Sequence, residues 1–407
     1  MEYESESVLL SQILDYLGYS HYIIKLRQRF YNGLYQAYTS DAPAECILTG
    51  SKPEGLTSYM ENDFDLMVVT REIICASDPN KYRDICEEVL VLVVDRADTS
   101  PGYSRLYFQR VLNGHEEASS YLNRYTYLNY KLKKVFNSVA REENEDMQFV
   151  IAESIHGPAI LWYANIEAIN VIEFDLVVGL ICDCPDIMHS WLNRARFHNW
   201  PSADVIETIA AMEAHAVPVG FKGSHYESIE WRICFTKAEK KLIQKLNDCQ
   251  LKLLVLLKWI AKRELIPLSK EMTSYVMKNV VLWLAELYPA EIFVENNLIL
   301  ILKGALRFIK LCLIKNNLPS YMIMERNLLA NRISFRKRSR LCMKTDLLQS
   351  EGPSLVLRCD KVKSVCNIIR ISPRTLCMYL QKLYNVELIF MALCLKQESL
   401  LSDEMAM

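Results

Sequence analysis

The 407-residue sequence predicts an α+β protein of two lobes. Three observations carry this. Val8, Leu9, Ile13, Leu14 and Leu17 recur at helical spacing, so the chain opens on a helix. Short runs rich in Ile, Val and Phe follow, bounded by turn residues, and read as strands. From about Ser190 helical periodicity takes over at 202–214, 236–262, 271–287 and 298–314, punctuated by Pro267 and Pro289. The expected division is a long N-terminal helix with a mixed core over 1–195, a helical lobe over 196–344, and an extension of unassigned role over 345–407.

Taken in order, Gly18 breaks the first helix, which resumes from Tyr22 to Tyr38 and stops at Ser40, Asp41 and Pro43. Cys46-Ile47-Leu48 then runs into Gly50-Ser51, and a second apolar run spans 63–69, which reads as strand, turn, strand. Residues 80–96 and 117–141 are expected to be helical. The segments 159–163 and 169–180 read as a hairpin. One further helix is expected around 375–394.

Composition narrows the function. A net charge of -2 excludes a uniformly basic protein, so any anionic macromolecule must be held by a local patch. The stretch Arg326–Lys344 carries seven positive residues and no acid, leaving -9 on the rest. It suits nucleic acid, an anionic membrane or an acidic partner equally with a solvated connector. Thirteen Cys, an odd number scattered among apolar residues, and an acidic start without a positive leader predict reduced thiols in the cytoplasm. The longest apolar stretches are interrupted by Lys252, Lys258, Lys303, Arg307 and Lys310, so no transmembrane segment is expected.

The sharpest feature is Gly50-Ser51 followed, after eleven intervening residues, by Asp63-Phe64-Asp65. In a strand Asp63 and Asp65 share one face, and two carboxylates there repel each other unless a cation lies between them. Hard oxygen ligands suit Mg²⁺. A Gly-Ser turn lets backbone N–H groups and a hydroxyl approach phosphates. A third carboxylate is available in Val171–Val177, where Asp175 lies in an otherwise apolar strand, with Glu173 of the same parity as the rival ligand. Together these are parts of a metal-dependent phosphoryl or nucleotidyl transfer site; the competing reading is strand faces with solvated acids.

Gly-Ser, a spacer, Asp-x-Asp and a lone strand Asp resemble the nucleotidyltransferases of the polymerase-β superfamily. Trp231-Arg232-Ile233-Cys234-Phe235 with Glu239, Leu251-Lys252, and Ser274-Tyr275-Val276-Met277-Lys278 resemble the cyclic GMP-AMP synthase-like receptors, which share the Mab domain. Trp191-Leu192-Asn193-Arg194, Asn199-Trp200-Pro201 and Val217-Pro218-Val219 resemble their invertebrate members. The resemblance covers roughly residues 5–330. It implies a two-lobed fold with an N-terminal spine helix and a helical C-terminal lobe. It also implies synthesis of a cyclic dinucleotide messenger from ATP, GTP or other nucleoside triphosphates in innate immunity, read by a downstream receptor through the product alone. A silent scaffold and a linear-product enzyme are the alternatives.

By the same resemblance Asp63, Asp65 and Asp175 would hold two Mg²⁺ (or Mn²⁺) ions. Gly50, Ser51, Lys252 and Ser274 would contact the triphosphate. Tyr275 would stack on a base and Arg232 would meet a base edge, with Glu239 beside them. Each has a plainer reading: a snorkelling Lys252, a rim Tyr275, and an Arg232 paired with Glu230 or Glu239. The zinc-binding insertion of the vertebrate enzyme is replaced by the short link 236–249. No zinc is therefore expected, and double-stranded RNA is favoured over DNA as activator. Lys25, Arg27 and Arg29 on the spine helix, with Lys131, Lys133 and Lys134, would offer it a basic face, if these are not simply solvated helix faces.

Overall fold

A computed structural model describes residues 2–39, 44–57, 64–82, 89–112, 115–128, 147–156, 159–166 and 170–372, with 374, 378, 385, 387–389 and 391 beyond them. Helices α1 (Glu4–Leu14) and α2 (His21–Thr39) form the spine. They are joined by one widened turn in which Gly18 takes φ 83°, a left-handed conformation that favours glycine. Leu10, Ile13, Leu14, Ile23 and Ile24 face the core.

Among the described residues ten strands follow: β1 (Ala44–Thr49), β2 (Phe64–Ala76), β3 (Leu90–Asp95), β4 (Tyr103–Leu112), β5 (His115–Tyr121), β6 (Met147–His156), β7 (Ala159–Ile166), β8 (Asn170–Asp183), β9 (Ala214–Val217) and β10 (Glu230–Cys234). They belong to one sheet, whose pairings run in a circuit β2-β3-β4-β10-β9-β8 and back to β2. The two longest strands, β2 and β8, lie side by side and parallel at its centre. Met67, Val69, Cys75, Val178, Leu180 and Cys182 are buried there, as expected for strands covered on both faces. The hairpin expected at 159–180 is β7–β8.

Three expectations need correction. Among the described residues of 80–96, the start belongs to a short helical turn, Pro79–Tyr82, and Leu90–Asp95 is a strand. The run Leu90-Val91-Leu92-Val93-Val94 is rich in β-branched residues, whose stiff side chains suit a pleated surface. Residues 115–121 are likewise a strand, with helix described only over 124–128. The lobe expected to be helical from 196 also contains β9 and β10, which pair with β8 and β4 and so belong to the sheet.

The other helices are α3 (Pro185–Leu192), α4 (Ala203–Ala210), α5 (Thr236–Gln244), α6 (Asp248–Ile260), α7 (Ser274–Leu287), α8 (Leu298–Lys315), α9 (Phe335–Ser350) and α10 (Asp360–Ile371). Helix α6 starts at a capping box in which Asn247 and Gln250 satisfy each other's backbone N–H groups. Its Leu251, Leu253, Leu254, Leu256 and Leu257 are all buried, so it is the axis of the second lobe. The C-terminal extension is part of this core: Leu348, Leu355, Val362 and Val365 join the main apolar cluster. No helix among the described residues is long and apolar enough to cross a membrane.

The extension also reaches the spine. Arg27 is 2% exposed. It donates from Nε and Nη2 to both carboxylate oxygens of Glu387 at 2.8 Å, and from Nη1 to the carbonyls of Gly18 at 2.8 Å and Gly55 at 3.4 Å. Met391 packs with Phe30, Tyr31 and Leu48 beside it. Arg27 therefore cannot serve an activator from this position, contrary to the sequence expectation. Most of the helix expected at 375–394 lies outside the described residues.

His215 on β9 is fully buried, and neither ring nitrogen has a hydrogen-bond partner among the described residues. Burial, then the charge of Lys237, pushes its pKa from the ordinary 6.5 down to about 4, against the pull of Glu213 and Glu45. The unfolded chain therefore binds a proton that the native one refuses. Stability is full above pH 6.5 and falls as pH drops toward 4, by up to roughly 3 kcal/mol. Urea unfolding at pH 7 and pH 4.5 should show this difference shrinking in His215→Leu; an unchanged difference removes His215 as its source.

Candidate active site

Asp65 on β2 and Asp175 on β8 are direct partners in the parallel register, with Phe64 opposite Phe174 and Leu66 opposite Leu176. Neighbouring strands lie about 4.8 Å apart, so the two carboxylates leave adjacent strands at one level and on one face. On the other edge of β2, Thr49 pairs with Asp65, and its hydroxyl donates to the Asp65 carbonyl at 3.2 Å. The next residue, Gly50, takes φ 73°. A Cβ built there would overlap Oδ2 of Asp65 and lie 2.8 Å from its Cγ. Only glycine lets the turn close over that carboxylate.

The turn 50–57 leans on the spine. Gly55, at φ 74°, lies against the carbonyl of Ile24, and Gln28 donates to the carbonyl of Glu54 at 2.9 Å. Lys52 is buried with its ammonium 4.2 Å from the ring centre of Phe64. From the second lobe, Lys258 on α6 donates to the hydroxyl of Ser51, and Lys278 on α7 forms an ion pair with Glu54. Burial works against the Lys278 charge, but Glu54 and Glu239 outweigh it and hold its pKa above the ordinary lysine value. Both lobes thus hold the turn.

Between the lobes lies a cavity of about 430 Å³. Gly50, Ser51, Asp65, Arg232, Glu239, Ser274 and Tyr275 all line it. Tyr275 donates its hydroxyl to Glu239 at 2.8 Å, and burial together with that carboxylate raises the phenol pKa. Arg232 points its Nε at the Cys234 sulfur, 3.3 Å away. Ser274 opens α7, whose Thr273 cap accepts the Val276 N–H, so the start of this helix borders the cavity.

Lys252 does not reach this cavity. Its ammonium contacts Asp15 at 2.6 Å, Asp248 at 2.8 Å and the Ser11 hydroxyl at 2.8 Å, and is 3% exposed. Burial opposes its charge, yet these hydrogen bonds outweigh that and raise its pKa. The residue straps α6 to the spine, which corrects its expected contact with phosphate. Lys258, Lys278, Arg326 and Arg332 line the cavity instead, and sequence reasoning gave none of them a site role. The last two come from the basic stretch 326–344; Arg332 donates to the Tyr103 hydroxyl at 3.1 Å. Lys25 is half-buried and donates to the Gln244 carbonyl, while Arg29 is exposed. Asp63, Lys131, Lys133 and Lys134 lie outside the described residues, as does the side chain of Glu173.

Residues 54–245 match the Mab-21 protein nucleotidyltransferase domain, and residues 249–346 match the Mab-21 protein HhH/H2TH-like domain. The chain belongs to the Mab-21 family. No curated protein matches it. The first Mab-21 match takes in Asp65, Asp175, Arg232 and Glu239, and the second takes in Lys258, Ser274, Tyr275 and Lys278; Gly50 and Ser51 stand just before the first. The boundary between the two falls in the 245–249 link, after the last sheet strand. Among the described residues no cluster of three or more His, Cys, Asp and Glu forms. The pair Asp65 and Asp175, with a glycine backbone in the space a Cβ would fill, nonetheless fits a hard divalent cation by its all-oxygen donor set.

Proposed function

We propose that the protein is a metal-dependent nucleotidyltransferase that, on binding double-stranded RNA, makes a cyclic dinucleotide from nucleoside triphosphates as an innate immune receptor of the cytoplasm. The observation that carries the reading is the in-register pair Asp65 and Asp175 beside the Gly50-Ser51 turn, which the second lobe grips through Lys258. Asp65 and Asp175, with Asp63, would hold Mg²⁺ or Mn²⁺. When bound, such ions polarise phosphoryl oxygens and favour the deprotonated form of the attacking hydroxyl.

The chain's own groups do the rest. Ser51, Lys258 and the α7 N-terminus with Ser274 hold the donor triphosphate. Tyr275 offers a stacking face that tolerates different bases, which suits an enzyme that must rebind its linear product, and Arg232 offers a planar donor fork to a base edge. An acceptor ribose hydroxyl loses its proton and attacks the donor α-phosphorus; the new P–O bond replaces the one to pyrophosphate, which leaves. A second transfer within the linear dinucleotide closes the ring.

The test is product analysis. Purified protein is incubated with Mg²⁺ or Mn²⁺, labelled triphosphates, and either double-stranded RNA or DNA. A phosphatase-resistant product that requires the RNA is expected. A ladder of linear products points to a polymerising enzyme, and no product across the ligand panel points to a scaffold; either result overturns the reading.

A further inference from the structure

A second cavity, about 970 Å³, opens on the other side of the Ser51–Lys258 contact. It shares Ser51, Lys258, Thr273 and Ser274 with the first, so these four residues form a waist at which the two cavities adjoin. Their linings differ in charge. The first sets Glu54, Asp65, Glu239 and Glu271 among its cations. The second is lined by Lys258, Lys262, Arg263, Arg358 and Lys361, against the single carboxylate of Asp360. Its far wall comes from the C-terminal extension: Arg358 and Cys359 precede α10, and Asp360 and Lys361 begin it. The Lys361 ammonium lies 5.5 Å from the ring centre of Trp259, which also meets Tyr19 edge-on at 5.3 Å.

We infer that this second cavity receives the β- and γ-phosphates of the donor nucleotide, and the pyrophosphate they become, with the C-terminal extension supplying part of the cationic wall. The inference rests on the nucleotidyltransferase reading for the owner of the phosphate chain. Ser51, Lys258 and Ser274, which the proposed function places on the donor triphosphate, form that waist, so phosphates reaching past them enter the second cavity. The waist is where a hydroxyl, an ammonium and a helix start converge. Beyond it, a chain of several negative charges meets five cations and one acid. Partial neutralisation of Arg263 by Asp360 and Glu264, and of Arg358 by Glu351 and Glu264, sets three carboxylates against the five cations and leaves the wall positive. The extension, which the sequence leaves without a role, thereby becomes part of the substrate site.

The experiment titrates the full chain with inorganic tripolyphosphate and reads tryptophan emission, with Trp259→Phe assigning the signal. A saturable change is expected, displaced by a nucleoside triphosphate. Lys361→Ala should weaken tripolyphosphate binding about tenfold, and Lys262→Ala/Lys361→Ala further. Both side chains are exposed, so neither change threatens the fold. Lys363→Ala, exposed on the same helix but outside the cavity, should change nothing. Normal product formation with tripolyphosphate affinity unaltered in the double variant overturns the inference alone. Simultaneous binding of tripolyphosphate and nucleoside triphosphate likewise overturns it, because the cavity is then a separate anion site. Tripolyphosphate binding without any nucleotide binding overturns it together with the transferase reading.

Discussion

Asp65→Asn and Asp175→Asn should each lower the transfer rate by at least roughly a thousandfold while leaving the fold intact. The amide keeps the shape of the carboxylate, so the in-register packing of β2 on β8 survives. What it removes is the negative charge that makes the pair a cation site. Because that charge matters most where phosphoryl oxygens gain charge, the loss should appear in kcat far more than in KM. Gly50→Ala should reach a similar end by geometry. Its methyl would overlap the Asp65 carboxylate, and its φ of 73° is one that alanine resists. Single-turnover rates with a circular-dichroism melt decide this; a wild-type rate in Asp175→Asn would remove β8 from the site.

The second large effect is on stability. Arg27→Ala leaves the Glu387 carboxylate buried without its guanidinium, and Glu387→Ala leaves Arg27, among the described residues, with two backbone carbonyls and the Tyr19 ring but no carboxylate. Breaking a buried pair from one side costs about 3–5 kcal/mol. Replacing both partners by apolar groups of similar volume, as in Arg27→Met/Glu387→Leu, should recover much of the loss, since no lone charge then remains buried. The denaturation midpoints of the two single variants and the double variant test this. Single variants as stable as the wild type would show that the C-terminal segment does not hold the spine in solution. The Arg27 change should also loosen Ser51, because Gly55 of the same turn is one of its acceptors.

The parts of the site legible in the sequence were those fixed by local parity. Asp65 and Asp175 each stand among apolar strand residues, and the turn before β2 announces itself by Gly50-Ser51. The lysine was not legible. Lys252 and Lys258 share one apolar helix that is buried all round, so no polar face shows which of them looks into the cleft. They are six residues apart, well separated around the helix, and only the packing of α6 against the spine and the 50–57 turn assigns one to Asp15 and the other to Ser51. Arg27 failed for a related reason: a charge on a spine helix looks solvated until Glu387, far along the chain, covers it. Strands β3 and β5 were misread although the β-branched run 90–94 carried a usable signal.

The parallel pairing of β2 with β8 has a consequence for the nascent chain. Asp65 leaves the ribosome long before Asp175, and Lys258 follows later still. Contacts so distant in sequence form slowly, because the intervening chain must lose its loop entropy before they reward it. The acidic pair therefore does not exist on a chain that ends before β8, and the waist does not exist until α6 has packed. An N-terminal fragment ending before β8 holds Asp65 without its partner, and a C-terminal fragment starting at α6 holds the gripping lysines without a turn to grip. The proposed activity therefore needs β2, β8 and α6 together, and a break before β8 or between β8 and α6 parts the groups of the site.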